Sequence, residues 1–160
     1  MLIVDEKGYE EYLEEINKLK KEYEKTITSG TDAYNTAVGD GWHDNFDFEE
    51  SMRIERDIAT KIDKMLENVP NIKVIKEEKP NNSIVQIGDT VRIKIDYPKF
   101  SDEFLVKITG NYLSNVDVEP MEITLNSPIG NSIYHKRIKS KVKATINNEE
   151  VDITIIEKVQ

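Results

Sequence analysis

The sequence predicts an α+β protein: a long antiparallel helical hairpin followed by an antiparallel β-sheet domain carrying a short helix. Three observations predict it. Apolar residues recur every three or four positions up to Pro70 and every second position after it. The glycines Gly39 and Gly41 interrupt the first pattern midway. The acidic excess also lies wholly in the first part: residues 1–70 hold 18 acids and 9 bases, whereas residues 71–160 hold 13 of each. The expected organisation is a coiled-coil hairpin over 1–75, with its acidic tip near 39–48, and a globular domain over 76–160.

The apolar start Met1-Leu2-Ile3-Val4 runs directly into Asp5-Glu6, too short and wrongly flanked for a signal peptide. Tyr9, Tyr12, Leu13, Ile16, Leu19, Tyr23, Ile27, Tyr34 and Val38 then form the stripe of a first helix over 7–38. Acids lead and lysines follow, so Glu14 precedes Lys18 at i,i+4 in the order that suits the helix dipole. Phe48, Met52, Ile58, Ala59, Ile62, Leu66 and Val69 form a second stripe, ending at Pro70. Two amphipathic helices joined by a short glycine-containing loop fold back on each other, each burying the narrow seam of its partner. At about 1.5 Å per residue the first helix reaches about 45–50 Å, so the hairpin is expected to project from the following domain.

After Pro70, residues 84–87, 91–95, 104–108, 121–125, 141–146 and 151–156 read as β-branched strands. Asn147-Asn148 suits the positive-φ geometry of a tight hairpin. Residues 128–137 lack alternation and predict a short helix, while 76–80 and 98–103 predict turns.

The chain has 160 residues, 33% of them charged, a net charge of −9 and no cysteine. That balance argues against independent binding to duplex DNA, which needs a basic surface to displace counterions. The missing cysteines exclude disulfides, thiolate metal sites and cysteine nucleophiles. No stretch approaches membrane-spanning length, and a cytoplasmic protein is expected. Lys136, Arg137, Lys139, Lys141 and Lys143 form a basic stretch, read first as a solvated face.

The segment Gly39-Asp40-Gly41-Trp42-His43-Asp44-Asn45-Phe46-Asp47-Phe48 is the candidate functional site. Residues 26–52 contain Asp32, Asp40, Asp44, Asp47, Glu49 and Glu50, and no lysine or arginine. In a structural reading, Asp44 caps the second helix while Trp42 and Phe46 cover the open end of the seam. In a metal reading, carboxylates a few residues apart hold a hard cation such as Mg²⁺. Zinc is disfavoured because the other histidine, His135, belongs to the other domain. No serine or cysteine accompanies His43 for nucleophilic catalysis.

Four segments in order resemble the Gre-type transcript cleavage factors, the bacterial GreA and GreB family. Gly8-Tyr9 through Leu13, Glu15-Ile16 and Leu19-Lys20 are similar to its first-helix signature. Gly39-Asp40, Asp44-Asn45 and Asp47-Phe48 resemble its Gly-Asp-x-x-Glu-Asn-x-Glu-Tyr tip. Ile87-Gly88-Asp89-Thr90-Val91 matches the start of its globular sheet, and Ile123-Thr124-Leu125-Asn126-Ser127-Pro128-Ile129-Gly130 a further family segment. Four features differ. Three residues separate Asp40 from Asp44 where the family has two. Asp44 replaces a glutamate, His135 a glycine, and Lys139-Ser140 a Gly-Asp pair.

The resemblance implies a coiled-coil hairpin joined to an FKBP-like domain. It also implies a monomer that binds bacterial RNA polymerase, enters its secondary channel and stimulates cleavage of backtracked RNA at the 3′ end. Such a factor is not a stand-alone enzyme and has no membrane partner. Asp40 and Asp44 take the catalytic, metal-holding roles, sharing the second Mg²⁺ of the polymerase. Asn126, Ser127 and Pro128 take the polymerase-docking role. The alternatives are a cleavage-incompetent channel regulator or inhibitor, and a peptidyl-prolyl isomerase or chaperone. Against the last, Tyr97, Phe100, Phe104, Tyr112 and Tyr134 are scattered along the sequence.

Overall fold

A computed structural model describes residues 1–36 and 46–159, without the side chains of 32–36 and 46–47. Its elements run β1 (Leu2–Val4), α1 (Glu6–Thr36), α2 (Phe46–Asn68), a 3₁₀ turn (Val69–Asn71), β2 (Ile72–Val74), β3 (Thr90–Asp96), β4 (Ser101–Thr109), β5 (Met121–Thr124), α3 (Pro128–Ile133), β6 (Lys141–Ile146) and β7 (Glu149–Val159). The class is α+β, as expected. Two compact units result: Tyr12–Asn71, and Met1–Glu11 together with the chain from Ile72 onward. Residues 1–11 and 72–75 thus group with the sheet, whereas a division between 75 and 76 would place them with the helices.

In the helical unit, Tyr12, Ile16 and Leu19 of α1 and Ile62 and Met65 of α2 are buried. The Tyr12 hydroxyl donates to the Met65 carbonyl at 2.9 Å, and Tyr23 to Glu55 at 3.3 Å. Lys61 pairs with Glu15 at 3.8 Å. Partner numbers fall on α2 as they rise on α1, so the helices run antiparallel. The seam of α2 corrects the expected stripe: Met65 is 6% exposed and Leu66 43%. Steps of four residues advance 40° beyond a full turn, so the run 58, 62, 66 drifts off the seam. A three-residue step to Met65 restores it. The expected Glu14–Lys18 pair is not among the ion pairs of the described residues; α1 instead pairs Lys7 with Glu11 at 3.7 Å.

The sheet unit has strand order β5-β4-β3-β7-β6. On one face, Val91, Ile93 and Ile95 of β3 alternate into a core shared with Val106, Ile108, Val151, Ile153 and Ile155. Ile123, Leu125, Val85 and Ile133 of α3 complete it. The other face carries cross-strand charge pairs, Arg92–Glu157 at 3.1 Å and Lys141–Asp152 at 3.2 Å. This is the one-side-wet arrangement of an antiparallel sheet. Asn147 and Asn148 take φ of 50° and 66° in the β6–β7 hairpin, as their side-chain chemistry predicts.

Three expectations are corrected. Residues 101–103 belong to β4 rather than to a turn, because the reversal is made earlier, where Tyr97 N donates to Phe100 O at 2.8 Å. Residues 84–87 form only a bridge, Ile84 to Arg137, since the chain turns at once: Gln86 N donates to Asp89 Oδ2 at 2.7 Å and Gly88 takes φ 89°. Finally, β5 pairs parallel to β4, with residues 110–120 forming the crossover between them.

The first residues also form structure that periodicity does not predict. β1 pairs parallel with β2, Leu2 with Ile72 and Val4 with Val74, and Val4 is fully buried. Asp5 caps α1 by accepting from Gly8 N at 2.7 Å.

Candidate functional site

Asp40 and Asp44 lie outside the described residues, as do Gly39, Gly41, Trp42, His43 and Asn45. The described helices bring the chain to them. α1 ends at Thr36 and α2 begins at Phe46, so residues 37–45 make the connection of an antiparallel pair. The 31 residues of α1 extend about 46 Å at 1.5 Å each. Lys18, Lys20, Lys21 and Lys25 are exposed along it. Among the described residues, no group of three or more His, Asp or Glu is placed to hold a metal ion.

Asn126, Ser127 and Pro128 are well defined, and each has work within the chain. Asn126 Oδ1 accepts from Ile3 N at 2.8 Å, and its Nδ2 donates to Ile3 O at 2.8 Å. The amide therefore pairs with β1 as another strand would. Ser127 is the N-cap of α3, accepting at Oγ from Gly130 N at 3.0 Å and donating to Thr124 O at 2.8 Å. Pro128 stands in the first turn of α3, where its missing N–H costs nothing. Asn126 and Pro128 are exposed and Ser127 is half-buried, so the segment presents a rigid edge outward.

The basic stretch is partly neutralised. Lys141 sits between Asp96 at 3.7 Å and Asp152 at 3.2 Å, and Lys143 reaches Glu150 at 3.6 Å. Lys136, Arg137 and Lys139 are exposed without an ion pair among the described residues.

A polar cluster that sequence reading missed ties residues 78–86 to the turn after α3. Glu78 Oε1 accepts from the Tyr134 hydroxyl at 2.8 Å and lies 2.6 Å from His135 Nε2. An ionised carboxylate only accepts, so that nitrogen carries the proton. Gln86 Nε2 donates to Glu78 Oε2 at 3.3 Å and to Lys79 O at 2.9 Å. The Tyr134 and His135 rings stack at 3.9 Å. No local spacing signals a contact between residues 56 and 57 positions apart. His135 and Lys139 take φ of 59° and 67°, the left-handed region that favours glycine.

Burial pushes the Glu78 carboxyl up, but hydrogen bonds from Tyr134, His135 and Gln86 together outweigh it and hold the carboxyl below the usual 4.5. Burial first, then the hydrogen bond to Glu78 and last its charge, raise the Tyr134 phenol well above 10. A group whose folded pKa is depressed contributes stability above its unfolded value and loses it as pH falls through the folded one. Glu78→Gln should therefore lower the urea midpoint at pH 7 and make progressively less difference below pH 4.5. An equal effect at pH 7 and pH 3 would show that the ionised carboxylate is not what matters.

Elsewhere in the sheet unit, Tyr97 stacks on Phe100 at 4.5 Å, at the β3–β4 turn. No helix among the described residues is long and apolar enough to cross a membrane. No protein-family model matches the chain, and no curated protein matches it in sequence. Among solved structures, the chain is similar to GreA factor homolog 1 (Gfh1) of Thermus thermophilus, at 13% identity and TM-score 0.40 over 99% of each chain. It is similar to Gfh1 of Thermus aquaticus at 13% identity and TM-score 0.41, over 99% of this chain and 98% of that one. It is also similar to the transcription elongation factor GreA/GreB of Nitrosomonas europaea at 16% identity and TM-score 0.39, over 62% of this chain and 79% of that one.

Proposed function

We propose that this chain is a Gre-type transcription elongation factor. In this reading it binds bacterial RNA polymerase, inserts the helical hairpin into the secondary channel and stimulates cleavage of backtracked RNA at its 3′ end. The observation that carries the reading is an acidic connection without lysine or arginine, at the turn of a long antiparallel helical pair. Two backbone details support it. His135 and Lys139 have left-handed φ where the family has glycine, and the Asn126-Ser127-Pro128 segment opens a helix docked on the sheet. The sheet unit is then FKBP-like, and the protein works as a cytoplasmic monomer.

Asp40 and Asp44 would hold a magnesium ion together with carboxylates of the polymerase, since their hard oxygen donors suit it. When bound, that ion supplies Lewis-acid polarisation at the phosphate undergoing hydrolysis. The chain's own contribution is two carboxylates carried on a stiff helical pair. It has no independent hydrolytic activity in this reading.

A second reading, a channel binder that inhibits without promoting cleavage, rests on the tip itself. One extra residue separates the two acids, and Asp44 is one methylene shorter than the family glutamate. A stalled, backtracked elongation complex separates the two. Release of short 3′ RNA on adding the protein supports the cleavage factor. Binding with no release supports the inhibitor, and no binding sinks both. Ser127→Ala with Pro128→Ala should weaken polymerase binding; unchanged affinity would remove this segment from the docking surface.

A further inference from the structure

β6 stands at the end of the five-strand order, with β7 on one side and no described strand on the other. The hairpin fixes which of its groups face outward. Its two-residue turn, Asn147-Asn148, makes Ile146 and Glu149 a hydrogen-bonded pair. The same phase recurs at the other end, where Ile155 N donates to Ser140 O at 2.9 Å. Val142, Ala144 and Ile146 therefore bond to β7, while Lys141, Lys143 and Thr145 point their N–H and C=O groups away from the sheet. No hydrogen bond among the described residues takes up those outward groups.

The side chains divide in the same register. Val142, Ala144 and Ile146 are half-buried against the core, and Lys141, Lys143 and Thr145 are exposed on the opposite face. A strand added at this edge would find an apolar row on one face and lysines on the other.

Charge selects the occupant. Residues 123–148 hold five lysines and arginines and no acid. Lys136, Arg137 and Lys139 lead into the strand, exposed and without an ion pair among the described residues. The Lys143–Glu150 pair is exposed on both sides, at 73% and 72%, and contributes little. Lysines on a sheet edge turn away most strands by repulsion. They turn away a second copy of this chain, because pairing β6 with β6 sets one lysine run against another. A nucleic acid would answer the charge, but it has no peptide groups to complete the ladder. An acidic polypeptide answers both.

We propose that the outer edge of β6 takes up an extended polypeptide segment that alternates acidic and apolar residues. Its acids lie beside Lys141 and Lys143, and its apolar residues extend the row of Val142, Ala144 and Ile146. Main-chain hydrogen bonds supply affinity and the alternation supplies specificity. The inference is independent of the polymerase reading.

The test titrates a labelled, end-capped eight-residue peptide alternating valine with glutamate against the full chain, read by fluorescence anisotropy. Saturable binding is expected, with slowed amide exchange at Lys141, Lys143 and Thr145. The same peptide with lysine for glutamate should bind at least about 10-fold more weakly. N-methylation of the peptide's alternate amides should cost a similar factor, since it removes ladder donors and leaves the protein unaltered. Thr145→Pro should also weaken binding with little change in thermal midpoint, because that N–H faces outward. Lys139→Glu with Lys143→Glu should weaken it several-fold at low salt and less at high salt. No binding of the valine-glutamate peptide overturns the proposal. Binding indifferent to N-methylation and to Thr145→Pro would show charge attraction without strand addition, and would equally overturn it. An oligouridylate that binds more tightly than the peptide, through the same lysines, would assign the basic run to nucleic acid instead.

Discussion

Replacing Asp40 and Asp44 together by alanine should lower stimulated RNA release about 100-fold or more while leaving polymerase affinity within about two-fold. A carboxylate holding a catalytic cation contributes several kcal/mol to the barrier, and each 1.36 kcal/mol is tenfold in rate. Binding should survive because docking is assigned to a different unit of the chain. Asp40→Asn and Asp44→Asn sharpen the test, since they keep the shape and remove the charge. Cleavage that ignores the alanine and asparagine variants alike would show that the acids at these two positions are not the functional ones. A wild type that binds and cleaves nothing would leave the inhibitory reading, and the inserted residue between the two acids would become its natural explanation.

Gly8→Ala should destabilise the sheet unit by about 2–3 kcal/mol, against the usual direction of such a change. In a helix, alanine normally gains up to about 1 kcal/mol over glycine. At Gly8, however, a Cβ would overlap the carbonyl oxygen of Gly110 and lie 3.0 Å from the Asn111 Cα. Both obstacles are backbone, and the Gly110 carbonyl also accepts from Asp5 N at 3.0 Å, so yielding would break a hydrogen bond. Gly30 supplies the contrast on the same helix. There a Cβ would meet only Ser51 Cβ at 3.6 Å, an ordinary contact, and Gly30→Ala should stabilise the helical unit by up to about 1 kcal/mol. Urea denaturation of the two variants reads both signs. Stabilisation by Gly8→Ala would show that the helix start is not held against the Gly110 turn.

Several features were legible because they are local. The stripe through Tyr12, Ile16 and Leu19, the alternation Val91, Ile93, Ile95 and the asparagine pair at 147–148 each specify their own conformation. A short helix starting at Pro128 is likewise expected, although it ends at Ile133 rather than 137, and the sequence reading does not include Ser127 as its cap or its bond back to Thr124. Where reading failed, two assignments were close in pattern. Leu66 and Met65 are both apolar neighbours, and the seam chooses between them by a 100° rotation. The charged run through Ser101, Asp102 and Glu103 looks like a turn, yet pairs with Asp96, Ile95 and Lys94 because β3 provides a complementary edge.

The amino-acid sequence by itself determined the helical hairpin, most strands, the place of the acidic connection and the concentration of negative charge in the first 70 residues. These follow from side-chain period and backbone preference, which act over a few residues. Only the tertiary structure decided that Ile3 is held by the amide of Asn126, that β1 runs beside β2, that β5 lies parallel to β4, and that Glu78 meets Tyr134 and His135. Each of those joins residues far apart in the chain. Their partners are selected by which polar groups and strand edges would otherwise be left unsatisfied once the core closes, and no local pattern encodes that choice.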